Sequence, residues 1–206
     1  MLHAKRLTRV VLTLLLLLPV AARAQDFGVM ESAETINQGN FKLRVNPLLF
    51  FGKGGGDNRA GIAALVGYGF TPHMDVEGGV SLGDGVQIFG ANAEFNVVSN
   101  RSMNFSIIPG VHVRRGDQEL ASTGIDLVLL ASRHATKRLD IYGALDMAFE
   151  QVTDDRMQDA NYNTFHVVPG LEYKLHQDLE LLVEVGLGLN DSSSHYLSGG
   201  IAYYFR

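Results

Sequence analysis

The sequence predicts an all-β fold: a closed antiparallel β-barrel of about ten strands, with eight as the alternative count. Three observations predict it. From Phe41 onward, short stretches alternate apolar and polar side chains, the period-two pattern of strands with two unlike faces. Turn-forming residues punctuate the stretches, as at Thr71-Pro72-His73-Met74 and Gly83-Asp84-Gly85, which is the mark of hairpins. The last stretch, Tyr196 to Phe205, keeps the alternation to the end.

Residues 1–24 read as an export signal. Lys5, Arg6 and Arg9 form a positive start, Val10 to Val20 is apolar with leucines from Leu14 to Leu18, and Ala22-Arg23-Ala24 is a small-residue cleavage pattern. Cleavage is expected after Ala24. A membrane anchor is the competing reading, but this run is shorter than the roughly 20 residues a spanning helix needs. Residues 25–38 carry no clear period and are expected to be a periplasmic N-terminal lead-in. The barrel is expected over residues 39–206.

Composition narrows the function. The 206 residues include 17 basic and 22 acidic ones. Four of the basic residues lie in 1–24, so the mature chain has 13 basic against 22 acidic, net −9. That balance argues against nucleic acid, which favours a basic face. Cysteine is absent, which removes disulfides and thiolate chemistry. The fold must be held by sheet closure and packing.

The elements follow in order. Phe41, Leu43, Val45, Pro47, Leu49 and Phe51 oppose Lys42, Arg44 and Asn46. A Gly-rich loop over 52–59 leads to Ile62, Ala64, Val66, Tyr68 and Phe70. Val76, Val80 and Leu82 then oppose Asp75, Glu77 and Ser81, and Phe89 to Val97 opposes Asn92, Glu94 and Asn96. Phe105, Ile107, Pro109, Val111 and Val113 oppose Ser106, His112 and Arg114, and Ile125, Leu127 and Leu129 oppose Asp126. Leu139 to Phe149 opposes Asp140, Tyr142, Asp146 and Glu150, ahead of the longest loop, 153–163. Phe165 to Leu175 opposes His166, Glu172 and Lys174. Leu179 to Leu189 opposes Glu180 and Glu184, and Leu197, Ile201, Tyr203 and Phe205 close the series.

Alternation alone does not say which face points inward, and a soluble barrel shows the same pattern with its apolar face inside. Three features favour a transmembrane barrel with the polar face inside. Glycines such as Gly67, Gly124, Gly170 and Gly186 fall on the polar face, where a narrow barrel has little room for side chains. Aromatics such as Phe41, Phe70, Phe149 and Phe205 stand at strand ends on the apolar face, like interfacial girdles. The apolar faces are long, near the roughly ten residues of a tilted spanning strand. Pro47, Pro109 and Pro169 fall mid-strand; they cost ladder bonds and suggest bulges.

The final strand, Ser198-Gly199-Gly200-Ile201-Ala202-Tyr203-Tyr204-Phe205, resembles the C-terminal assembly signal of bacterial outer-membrane proteins, with Tyr203 and Phe205 as its aromatics. Arg206 after Phe205 departs from that signal. The stretch Gly67 to Val76 is similar to a strand–turn–strand common in these barrels. On these residues the chain resembles the small bacterial outer-membrane β-barrel proteins of the outer membrane protein β-barrel domain family. The resemblance implies the bacterial outer membrane as location, with outer-membrane lipid and the barrel-assembly machinery as partners. It implies no particular activity, because such barrels include pores, adhesins, structural proteins and enzymes.

The width of about ten strands and the polar face set the functional readings. The expected lumen residues are Arg44, Glu77, Glu94, Arg114, Asp126, Asp146, Glu172 and Glu184. The first reading is a structural or interaction barrel whose lumen they fill as a hydrogen-bonded network. The alternative is a narrow pore for small solutes, cation-preferring because carboxylates predominate. A rim hydrolase is the third. Ser194, His195, Ser198 and Glu184 lie close in such a topology, but His195 and Ser198 are three apart and so on opposite faces. Asp154, Asp155 and Asp159 share the longest loop with no histidine. His112 and His166 lack metal-ligand spacing, and Gly54-Gly55-Gly56-Asp57 opens no helix as a phosphate cradle would. No catalytic, cofactor or metal site is assigned, and the chain is expected not to be an enzyme.

Overall fold

The computed structural model describes residues 27–52, 57–83, 85–100, 102–116, 121–153 and 160–206. Ten strands form in chain order: β1 (Phe41–Phe51), β2 (Arg59–Thr71), β3 (Met74–Gly83), β4 (Val86–Ser99), β5 (Asn104–Gly116), β6 (Ala121–His134), β7 (Leu139–Thr153), β8 (Ala160–His176), β9 (Leu179–Gly188) and β10 (His195–Phe205). Each pairs antiparallel with its sequence neighbours, and β1 pairs with β10 from Phe41↔Phe205 to Phe51↔His195, so the sheet closes. Closure leaves no edge strand to protect.

The apolar face points out. Leu49, Val66, Ile125, Leu171 and Ile201 are all exposed on the outer wall, Ile125 at 63 %. An apolar outer face of this extent marks a wall that lies against lipid. At the end of the barrel where β1 starts and β10 finishes, the terminal end, aromatic rings line the seam. Phe41 stacks on Phe205 with centroids 5.6 Å apart and meets Tyr68 at 4.9 Å, and Tyr68 meets Phe70 edge-on at 5.0 Å. Phe149 and Phe165 form a similar contact toward the opposite, loop end.

The prolines interrupt the ladder without bulging it. Register between β1 and β10 jumps from Val45↔Ile201 to Leu48↔Ser198 around Pro47, the same number of residues on each strand. Equal gaps occur at Pro109 against β4 and Pro169 against β9. Proline has no N–H to give, so the pairing simply lapses. Ser198 Oγ donates to the Pro47 carbonyl at 2.8 Å and recovers one bond. The register shifts fall elsewhere, between Gly69 and Thr71, Asn96 and Val98, and Lys174 and His176.

Inside, the lumen is only partly polar. Leu48, Phe50, Leu65, Ile108, Leu130, Ala144 and Val168 point inward and are buried together. They form an apolar cluster between polar zones at the two ends.

Candidate functional site: a segment seated in the lumen

Residues 27–38 run inside the barrel. The sequence reading set 25–38 outside it as a lead-in; from Phe27 onward the structure corrects this. The reason is chemical. Phe27, Val29, Met30 and Ile36 are apolar side chains with no other surface to cover them, and the lumen offers the apolar cluster. Val29 and Ala33 belong to that cluster, with Phe27 packed against it. Met30 and Ala33 have no solvent exposure at all.

The turn at Asn37–Asn40 redirects the chain into β1. Asn40 N–H donates to Asn37 O at 2.9 Å, and Gly39, with φ +80°, donates to Gly69 O at 2.9 Å. A Cβ on Gly69 would meet the carbonyls of Ile36 and Asn37, so only glycine lets the segment lie against the wall there.

Wall carboxylates accept the segment's backbone amides. Glu184 takes Val29 N–H at 3.0 Å and Met30 N–H at 2.6 Å. Glu172 takes Ser32 N–H at 3.1 Å and Asp75 takes Ile36 N–H at 2.6 Å. Ser132 Oγ accepts Ala33 N–H at 3.0 Å. Arg44 Nη1 donates to the Val29 and Met30 carbonyls at 2.6 and 2.7 Å. Met30 sits at φ +48°, a left-handed conformation that costs a non-glycine residue roughly 1–2 kcal/mol. Two successive N–H groups on one carboxylate, with Arg44 on the carbonyls beyond, hold it there.

Charge on the segment is matched as well. Lys42 Nζ lies 2.9 Å from Glu31 and 2.8 Å from Glu77, and Arg44 Nη2 lies 3.1 Å from Glu77. At the terminal mouth, His134 contacts Glu34 Oε1 through Nε2 at 3.0 Å and Asp140 through Nδ1 at 2.5 Å. Lys174 lies 3.5 Å from Glu34 Oε2 and 3.4 Å from Asp140 Oδ2. Glu34, His134 and Asp140 are close enough for a metal. Two features fit an ion-pair clasp instead: the ring nitrogens face different carboxylates, and an ammonium already bridges the remaining oxygens.

The expected lumen residues divide into two groups. Arg44, Glu77, Glu94, Glu172 and Glu184 are buried, and all but Glu94 join the network around the segment. Glu94 pairs across strands with Asp75, and its Oε1 has no hydrogen-bond partner among the described residues. Arg114, Asp126 and Asp146 lie toward the loop end in a separate network. Arg114 and Ser122 each meet Glu150 at 2.8 Å, His112 meets Asp126 at 2.8 Å, and His166 lies 3.7 Å from Asp146. Tyr203 and Phe205 are on the outer wall of β10. Ser198 is lumenal and bonded to Pro47, while His195 is exposed and bonded to Gly188 N–H. Those two are not brought together, and Asp154, Asp155 and Asp159 lie outside the described residues.

Sequence reasoning missed Glu31, Glu34 and Tyr196, and placed Tyr142 on the polar face without a role; both phenols donate to Glu184, at 2.9 Å from Tyr142 and 3.0 Å from Tyr196. It also missed the inward apolar cluster. The available signal was a set of apolar doublets, Leu65-Val66, Ile107-Ile108, Leu129-Leu130, Val167-Val168 and Leu181-Leu182, which place one apolar residue on each face.

Three solved structures are similar to this chain. The outer membrane protease OmpT from Escherichia coli aligns with a TM-score of 0.50 at 10 % identity, over 84 % of this chain and all of that one. KdgM porin aligns at 0.46 and 15 % identity, over 80 % and 99 %. The attachment invasion locus protein Ail of Yersinia pestis aligns at 0.39 and 11 %, over 82 % and 99 %. At 10 % identity the likeness to OmpT is one of fold. No curated protein matches the sequence. The sequence matches the outer membrane protein beta-barrel domain over residues 10–205. Ten closed strands, a lipid-facing apolar wall and that match give one conclusion: the chain belongs to the outer membrane protein β-barrel domain family, whose place is the bacterial outer membrane.

Proposed function

We propose that this protein is an occluded outer-membrane barrel with a structural or interaction role, its lumen closed by its own residues 27–38. The observation that carries the reading is the complete burial of Met30 and Ala33 inside the closed sheet. A water-filled path would leave them wet. The apolar cluster around Val29 also opposes ion passage, because an apolar constriction dewets.

Export fits this reading. Cleavage after Ala24 leaves two residues ahead of Phe27, which packs in the lumen against Gly90. Removal of residues 1–24 then precedes seating of the segment, since a narrow filled lumen has no room for a 24-residue leader.

The test is conductance of the refolded mature chain in planar bilayers, with heat-modifiable gel migration as the check on folding. The intact barrel is expected to be silent. Deletion of residues 27–36 is expected to open it, with cations preferred because lumenal carboxylates outnumber lysines and arginines. Steady openings of the intact, folded chain would overturn the reading in favour of the narrow pore.

A further inference from the structure

The outer wall carries a groove of about 250 Å³ on β6 and β7 near the terminal end, bordered by Met103, Ala131, Arg133, Ile141 and Gly143. It exists because small residues stand side by side. Ala131 pairs with Gly143, flanked by Phe105 on one side and Pro169 on the other. A Cβ on Gly143 would meet nothing within 4 Å. One step toward the membrane surface, Arg133 pairs with Ile141 and is exposed on the same lipid-facing wall.

Two more cations stand on the turn that joins these two strands. Lys137 and Arg138 are exposed on the β6–β7 turn. The turn is fixed: Thr136 Oγ1 accepts Arg138 N–H at 3.2 Å and Leu139 N–H at 3.0 Å, and Ala135 N–H donates to Leu139 O at 2.8 Å. None of the three cationic side chains has an ion-pair partner among the described residues, whereas Lys42, Arg44, Arg114 and Lys174 are all paired in the lumen.

We propose that this groove and its three cations form a binding site for an anionic phospholipid of the leaflet at the terminal end. The phosphate sits among Arg133, Lys137 and Arg138, and one acyl chain lies along Ala131, Ile141 and Gly143. The apolar stem of Arg133 covers the groove while its guanidinium reaches the headgroup level. The bilayer is the only source of ligand this wall meets, and positive charge at that depth selects anionic headgroups.

The chain has no tryptophan, so one introduced indole reports alone. The refolded mature chain with Met103→Trp is placed in phosphatidylcholine vesicles with a small fraction of brominated phosphatidylglycerol. Phe70→Trp, on the outer wall at the same end, is the control. Quenching at 103 is expected to show roughly tenfold enrichment of the anionic lipid over brominated phosphatidylcholine, with no enrichment at 70. Changing Arg133, Lys137 and Arg138 together to Gln is expected to abolish the enrichment, and Ala131→Leu to reduce it by filling the groove. Equal quenching by the two lipids, or equal enrichment at 103 and 70, would overturn the site. Enrichment that survives Ala131→Leu unchanged would overturn the groove's part in it. Each variant is read only after its heat-modifiable band shows a folded barrel.

Discussion

Met30 N–H donates to Glu184 Oε2 at 2.6 Å, across 154 residues of sequence. The same carboxylate takes Val29 N–H and the phenols of Tyr142 and Tyr196. Four donors on one buried carboxylate make it the centre of the segment's seat. Glu184→Ala strands all four. We expect a loss of about 3 kcal/mol, since each orphaned buried donor costs roughly 1–3 kcal/mol and part is recovered by relaxation. Urea unfolding followed by the heat-modifiable band measures it. A loss below about 1 kcal/mol would show that the seat is held elsewhere.

A tether tests the segment's position directly. Ala33 N lies 3.0 Å from Ser132 Oγ, so the two residues are in direct contact and a cysteine pair there tests whether the segment can be tethered to the wall. The chain has no native cysteine to compete. In a Glu184→Ala background, Ala33→Cys with Ser132→Cys is expected to be silent in bilayers when oxidised and to conduct after reduction. Conductance that ignores the redox state would mean the segment does not close the lumen.

The clasp at the mouth gives a pH dependence. A histidine donates from both ring nitrogens only as the imidazolium. His134 contacts Glu34 and Asp140 with one nitrogen each, while Lys174 bridges the same two carboxylates and Asn104 donates to Glu34. The clasp is therefore complete while His134 is charged and loses one bond as pH rises through its titration. Thiol labelling of an Ala33→Cys variant, scaled to exposed Ser99→Cys at each pH, is expected to rise several-fold from acid to alkaline conditions. His134→Gln should flatten that rise. An unchanged profile in His134→Gln would assign the pH response to the other lumenal groups.

Most of the barrel was readable because lipid outside and a crowded lumen impose one rule on every strand. Leu49, Val66 and Ile201 obey it, and so do Arg44, Glu77 and Glu184. The seated segment was not readable, because residues 27–38 follow no period and are held by long-range bonds, such as Ile36 to Asp75. No local pattern encodes a contact whose partner is supplied by the closed sheet. Leu48 and Ile108 carried no polar lumenal signal for a related reason: they point inward against the polar trend because Val29 and Ala33 occupy the lumen beside them.

The glycines separate lumen from lipid in one comparison. A Cβ on Gly186 would fall on the Tyr196 ring, which Glu184 holds in place. Gly143 faces outward, with nothing within 4 Å of such a Cβ. Gly186→Ala forces a buried ring from its site and is expected to destabilise the barrel by about 1–3 kcal/mol, the usual cost of overpacking. Gly143→Ala removes strand-weakening freedom without a clash and is expected to stabilise by about 0.5 kcal/mol. Opposite signs in urea unfolding fix which wall each strand face belongs to. Equal destabilisation by both would mean the Tyr196 ring does not set the packing of the lumen at Gly186.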